Sequence, residues 1–222
     1  MITDDPGTPG NGKWEINLAT EFEHRPSETL YDLPEIDLNY GVGDHVQLTL
    51  QTAPVLLKRS EHGPIGGLGG TEAAVKWRFL DEESSGFDVS MFPRVIFSVL
   101  QSSVRRGLAE DGTRFQIPFQ VAKSFGKIHG DFEIGPLTST VGHSEWLYGV
   151  VGGIDATRTT TLLAELSGTS QTNFQGDTLI ANFGVRHEFT KTRFLIASLG
   201  YELRSADQPR ALIGYFGVQL LF

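Results

Sequence analysis

Large apolar side chains recur at every second position in segment after segment of this chain. Nowhere do about 20 apolar residues run together, as a membrane-crossing helix requires. In Trp14-Glu15-Ile16-Asn17-Leu18-Ala19-Thr20-Glu21-Phe22, one parity holds Trp, Ile, Leu, Thr and Phe, and the other holds Glu, Asn, Ala and Glu. A two-residue period puts each set on its own face of a β-strand. Helical bundles are thereby set aside, and sandwiches and barrels remain.

The pattern repeats down the chain. Ile36, Leu38 and Tyr40 oppose Asp37 and Asn39. After the turn Gly41-Val42-Gly43-Asp44, the residues Val46, Leu48 and Leu50 oppose His45, Gln47, Thr49 and Gln51, completing a hairpin. Ala73, Val75, Trp77 and Phe79 oppose Glu72, Lys76 and Arg78; Phe87, Val89, Met91 and Val95 oppose Asp88, Ser90 and Arg94. Phe115, Ile117, Phe119 and Val121 oppose Gln116 and Gln120, and Ile128, Phe132 and Ile134 oppose His129, Asp131 and Glu133. Further strands are predicted near 145–153, 159–168, 178–189, 193–203 and 210–222, which makes twelve. Links near 41–44, 81–86, 124–127, 154–158 and 190–192 are short, while those near 23–32, 58–70, 98–113, 137–144, 169–177 and 204–209 are mostly longer. Residues 1–12, rich in Gly, Pro and Asp, are predicted to be irregular, either hanging below the barrel or folding into its mouth.

A soluble sandwich would bury the apolar face, whereas a membrane barrel would turn it to lipid. The aromatics favour lipid. Trp14, Tyr40, Trp77, Phe79, Phe87, Phe189 and Phe222 fall near one set of strand ends, and Phe22, Phe115, Trp146 and Tyr201 near the other, as two interfacial girdles would. Mean hydropathy is −0.13, near zero as alternating lipid-facing and lumen-facing residues imply. The chain ends on a strand whose Phe216, Val218, Leu220 and Phe222 share one face, where a soluble domain would fray into polar residues. The spacing of Tyr215, Gly217, Leu220 and Phe222 is similar to the terminal signal read by the bacterial barrel-assembly machinery.

The expected fold is therefore all-β: one closed antiparallel transmembrane β-barrel of twelve strands spanning residues 1–222, with both termini periplasmic. A monomer in the outer membrane of a Gram-negative bacterium, surrounded by lipid and lipopolysaccharide, follows from that reading. The N-terminus has neither a basic stretch nor an apolar core, so the expectation is a mature form with Met1 in place of a removed signal. A net charge of −9 without a basic run gives no support for nucleic-acid binding. The absence of cysteine excludes disulfides and thiolate metal sites.

The run Gly66-Gly67-Leu68-Gly69-Gly70-Thr71-Glu72-Ala73-Ala74-Val75-Lys76-Trp77-Arg78-Phe79-Leu80-Asp81-Glu82-Glu83 resembles the outer-membrane channel family linked to the meta-pathway of phenol degradation. Val89-Ser90-Met91-Phe92-Pro93-Arg94-Val95, Ile117-Pro118-Phe119-Gln120-Val121-Ala122-Lys123 and the last strand share that likeness. The resemblance implies passage of small, often hydrophobic or aromatic compounds across the outer membrane, with no cofactor. The glycine run does not match a phosphate loop, since it lacks the terminal Lys-Ser/Thr and precedes a strand; a flexible extracellular loop is expected there.

Twelve strands spaced ~4.8 Å and tilted ~40° enclose a backbone cylinder roughly 24 Å across, leaving a lumen on the order of 12 Å. The residues expected to line it are Glu15, Asn17, Asp37, Asn39, Gln47, Gln51, Glu72, Lys76, Arg78, Arg94, Gln116, Gln120, Asp131, Glu133, Asn182, Arg186 and Glu202. Lys76, Arg78 and Arg94, on adjacent strands, either form a selectivity-setting basic strip or pair into networks that stiffen the wall. Pro93 and Pro118 fall on paired strands where each removes a ladder hydrogen bond, marking a tolerated kink or a lateral opening. A lipid-hydrolysing barrel would need a Ser–His pair with an orienting third group. The histidines do not suggest one, and no His-x-His or His-Glu-x-x-His spacing indicates a metal. A structural barrel without transport is the remaining alternative.

Overall fold

The computed structural model describes residues 1–173, 176–206 and 208–222. The links expected near 169–177 and 204–209 thus lie partly outside the described residues. β1 (Trp14–His24), β2 (Glu28–Val42), β3 (Val46–Arg59) and β4 (His62–Leu80) form a meander, followed by the one-turn helix α1 (Glu82–Ser85). β5 (Asp88–Met91) and β6 (Arg94–Phe97) are two halves of a fifth strand. After helix α2 (Gln101–Arg105), β7 (Thr113–Gln116) and β8 (Phe119–Phe125) are two halves of a sixth. β9 (Ile128–Ser139), β10 (Glu145–Asp155), β11 (Thr160–Gln171), β12 (Thr178–Thr190), β13 (Arg193–Arg204) and β14 (Leu212–Leu221) complete the wall. Every neighbouring pair is antiparallel, and β14 closes on β1 from Glu15↔Leu221 to His24↔Leu212. The result is a closed twelve-strand barrel without an edge, so each strand pairs on both sides within the wall.

Its exterior is apolar and its interior polar. Phe183 on the outer face is 67% exposed, whereas Gln120 on the inner face is 0% exposed. A soluble sandwich would show the reverse. Trp14 packs on Tyr40 (centroids 4.8 Å apart), and Trp77 on Phe79 (5.4 Å), near the end where β1 begins and β14 ends. The last residue belongs to the wall: Phe222 donates to the Trp14 carbonyl at 2.9 Å and accepts from its N–H at 3.2 Å.

One expectation about the far end is corrected. The glycine run at 66–70 is not a flexible loop; it lies within β4, and only residues 60–61 separate β3 from β4. The segment between β6 and β7 also reaches the interior. It folds inward, and Leu108 is buried with Ala53, Val55 and Leu57 in the one buried apolar cluster among the described residues. Glycine makes that packing feasible, since a Cβ on Gly67 would stand 2.7 Å from Leu108 Cδ1.

Candidate functional site

The interior contains a plug. Residues 1–12 turn back from β1 and enter the lumen, deeper than either expected position, below the barrel or in its mouth. The turn is tied to the β2–β3 connection: Gly12 N–H donates to the Gly41 carbonyl at 2.9 Å, Gly43 N–H to Asn11 Oδ1 at 3.0 Å, and Thr8 Oγ1 to the Asp44 carbonyl at 2.9 Å. Deeper in, Lys76 Nζ donates to the Asp5 carbonyl at 2.6 Å and pairs with Asp4 at 3.1 Å. At the tip, the N–H groups of Ile2 and Thr3 both donate to the Glu165 carboxylate, which also accepts from Asn182 at 3.0 Å. A side chain on Gly149 would overlap Thr3, so the bare backbone of β10 is the seat of the tip.

The charge on Asp4 decides how firmly the plug is held. Burial inside the barrel opposes ionisation, but Lys76 and Arg94 outweigh it and hold the carboxyl below its usual range. A depressed carboxyl pKa gives a tie that is present at neutral pH and lost as pH falls through the folded value. Ion current through the barrel should therefore stay low at neutral pH and rise only in acid below the usual carboxylate range; a current unchanged by Asp4→Asn at neutral pH would show that other contacts hold the segment.

The residues predicted to line the lumen lie on the inner face, largely engaged with one another. Asn17 donates to Glu15 (3.2 Å) and Asp37 (2.9 Å), Asn39 to Asp37 (2.9 Å), and Gln47 to Asn39 (2.7 Å). Gln120 donates to Glu133 at 2.6 Å and accepts from Ser90 at 2.6 Å. Arg94 pairs with Glu133 (3.3 Å) and Asp4 (3.7 Å), and its guanidinium lies 4.3 Å above the Phe92 ring, against which Lys76 also packs. Arg186 donates to Gln219 at 2.9 Å over the ring of Phe194. Gln51 and Asp131 share the inner parity of β3 and β9. Two charges sit at the rims: Arg78 pairs with Asp81 at 3.1 Å, and Glu202 with Arg25 at 2.8 Å. Lys76, Arg78 and Arg94 thus each have an acidic partner, the network alternative rather than a free basic strip. Tyr215 and Gly217 follow the inner parity of β14, while Leu220 and Phe222 follow the outer.

The prolines mark a second feature. Pro34 and Pro54 sit at register shifts, where a bulge absorbs the missing donor. Pro93 and Pro118 do not; the register runs unbroken from Asp88↔Ala122 to Phe97↔Thr113. Val75 N–H donates to the Pro93 carbonyl at 3.1 Å, Phe92 N–H to Pro118 at 2.9 Å, and Ile117 N–H to Pro136 at 3.1 Å. In each pair the proline has no N–H to return. Three adjacent seams, from β4 across both broken strands to β9, therefore lose one ladder bond at the same height. Pro136 is the member that sequence reading missed; its alignment with the others depends on strand register.

Cavities flank this row. One of about 460 Å³ takes its lining from both faces of the wall, with Val75, Pro93 and Ile117 from the outer face and Ala74, Arg94 and Gln116 from the inner. A second, of about 240 Å³, lies in the lumen beyond the plug tip; Ile2, Glu72, Arg94 and Gln116 are among its walls. Arg94 and Gln116 stand between the two.

Known structures share this architecture. An outer membrane channel from Pseudomonas putida F1 superposes with a TM-score of 0.78 at 13% identity, covering 99% of each chain. The NanC porin gives a TM-score of 0.67 at 9% identity over 92% of this chain and 98% of that one. A protein described as the CymD monoaromatic hydrocarbon channel gives 0.56 at 7% identity over 96% and 89%. No protein-family model matches this sequence, and no curated protein does either. The fold is that of outer-membrane β-barrels, and the likeness to the phenol-pathway channel family rests on the strand motifs quoted above.

Proposed function

We propose that this chain is an outer-membrane channel for passive uptake of small, hydrophobic or aromatic solutes, which enter from outside and leave sideways into lipid through the wall formed by β4, β6 and β7. The carrying observation is the pair of cavities that meet at Arg94 and Gln116, one in the lumen and one in the proline-weakened wall. Support comes from the plug, which occupies the route to the periplasm, and from the outer lining, apolar as a lipid-facing exit requires. In this reading the start of β1 and the C-terminus face the periplasm while the N-terminus lies inside the lumen, Tyr215, Gly217, Leu220 and Phe222 direct assembly, and the barrel acts as a monomer in lipid and lipopolysaccharide.

Filling the exit tests it. Ala73 lines the wall cavity on the outer parity of β4, so Ala73→Trp should occupy it without touching the lumen. Uptake of toluene or a similar probe into vesicles carrying the protein is expected to fall several-fold, with ion conductance unchanged. Unaltered uptake would sink the lateral route.

A hydrolase reading finds one constellation among the described residues. Ser124 Oγ lies 3.1 Å from His129 Nδ1, and His129 Nε2 lies 3.2 Å from Asp155. Acyl transfer also needs donors aimed at the developing oxyanion. Here the Ser124 N–H already donates to the Glu82 carboxylate at 2.9 Å, which sets negative charge beside the hydroxyl. These groups are better explained as a polar tie across β8, β9 and β10 at the rim.

A further inference from the structure

A third cavity, of about 300 Å³, lies inside the far mouth between β2, β3, β4, β6 and the inward-folded loop that carries Leu108. Much of its wall is apolar. Leu30, Val55, Ile96 and Leu108 present apolar surface, and the neighbouring Ala53 and Leu57 extend the patch. The volume lies at the lower end of the range of small-molecule sites. The site is built rather than incidental: Leu108 is 3% exposed, its N–H donates to the Ser103 carbonyl at 2.9 Å, and Arg106 ties the loop to the Gly66 carbonyl at 3.0 Å.

The polar groups lining this cavity are unbalanced. Arg114 is paired with Glu110 at 3.0 Å, which leaves Asp32. Among the described residues no basic side chain pairs with Asp32, and the carboxylates of Glu21 and Glu35 lie within 4.8 Å of its own and of each other. An apolar pocket with an uncompensated carboxylate in its wall suits a small apolar body that carries a positive, hydrogen-donating head.

We infer that the cavity bounded by Leu30, Val55, Ile96, Leu108 and Asp32 is a capture site for small amine-bearing apolar molecules, held by the apolar walls and oriented by Asp32. Arg114 lines both this cavity and the one beyond the plug tip, so a captured molecule is one side chain from the lumen. The inference rests on the channel reading for why a molecule arrives there; binding itself is measurable without transport.

The test is titration calorimetry on the purified full-length barrel in detergent, with three probes of matched shape: 2-phenylethylammonium, 2-phenylethanol and phenylacetate. The ammonium should bind tightest and phenylacetate weakest. Asp32→Asn should weaken the ammonium about tenfold or more, the loss of a charge-assisted hydrogen bond, and leave 2-phenylethanol unchanged. Leu108→Ser should weaken the ammonium and the alcohol alike, which separates the walls from the head-group contact. Equal affinity for ammonium and carboxylate, or an ammonium affinity indifferent to Asp32→Asn in a barrel that still shows heat-modifiable migration, overturns the proposal. Because no vesicle flux enters the measurement, a failed lateral route would leave this result intact, and the converse holds too.

Discussion

Removing residues 2–10 should turn a nearly closed barrel into an open pore. The segment fills the lumen through Lys76, Glu165 and the seat at Gly149, yet contributes no strand to the wall. Without it the free bore is on the order of 12 Å, and single-channel conductance should rise by roughly an order of magnitude. The barrel should still fold. Lys76 loses Asp4 but gains lumen water, so the penalty of leaving a buried charge unpaired, about 3–5 kcal/mol when one partner alone is removed, does not apply. Planar-bilayer recordings beside heat-modifiability gels decide the matter. Unchanged conductance in a folded deletion mutant would mean that another obstruction, not the plug, closes the lumen.

The second large effect is expected from the proline row. Replacing Pro93 and Pro136 with Val and Pro118 with Thr returns three N–H donors to seams whose register is already correct. Each restored ladder bond contributes about 0.5–1.5 kcal/mol, so the triple mutant should be stabilised by about 2–4 kcal/mol in total. If solute leaves through this wall, uptake of hydrophobic probes should fall sharply while ion conductance stays at the wild-type level. Stability should climb whether or not the lateral route exists, which makes the uptake arm the decisive one. Wild-type uptake in a stabilised mutant would return the straight-through route.

The two effects oppose each other on one channel. Plug deletion opens the axial path for ions and small polar solutes, whereas proline replacement closes the lateral path for apolar ones. Combining them should yield a conducting barrel with weak hydrophobic uptake, and any other combination of phenotypes would mean that the paths share a gate.

The twelve strands were legible because each is local: a period of two over about ten residues needs no information from elsewhere in the chain. Pro93 and Pro118 were visible for the same reason, as donor-less residues inside clear alternation. Polar residues such as Asn39, Gln120 and Glu133 were also placeable on the inner parity, but not what they touch. Ile2 and Thr3 meet Glu165 across more than 160 residues, and Asp4 meets Lys76 across 72, in a segment with no period to betray its path. Pro136 joined the proline row only through the register of β7 on β9, and Leu108 found its place only because β4 presents glycine where the loop folds in. Alternation set the strands, and the aromatic girdles with the terminal Phe222 turned their apolar face to lipid; what fills that barrel, and where its wall is thin, was decided by contacts between distant segments, which periodicity does not encode.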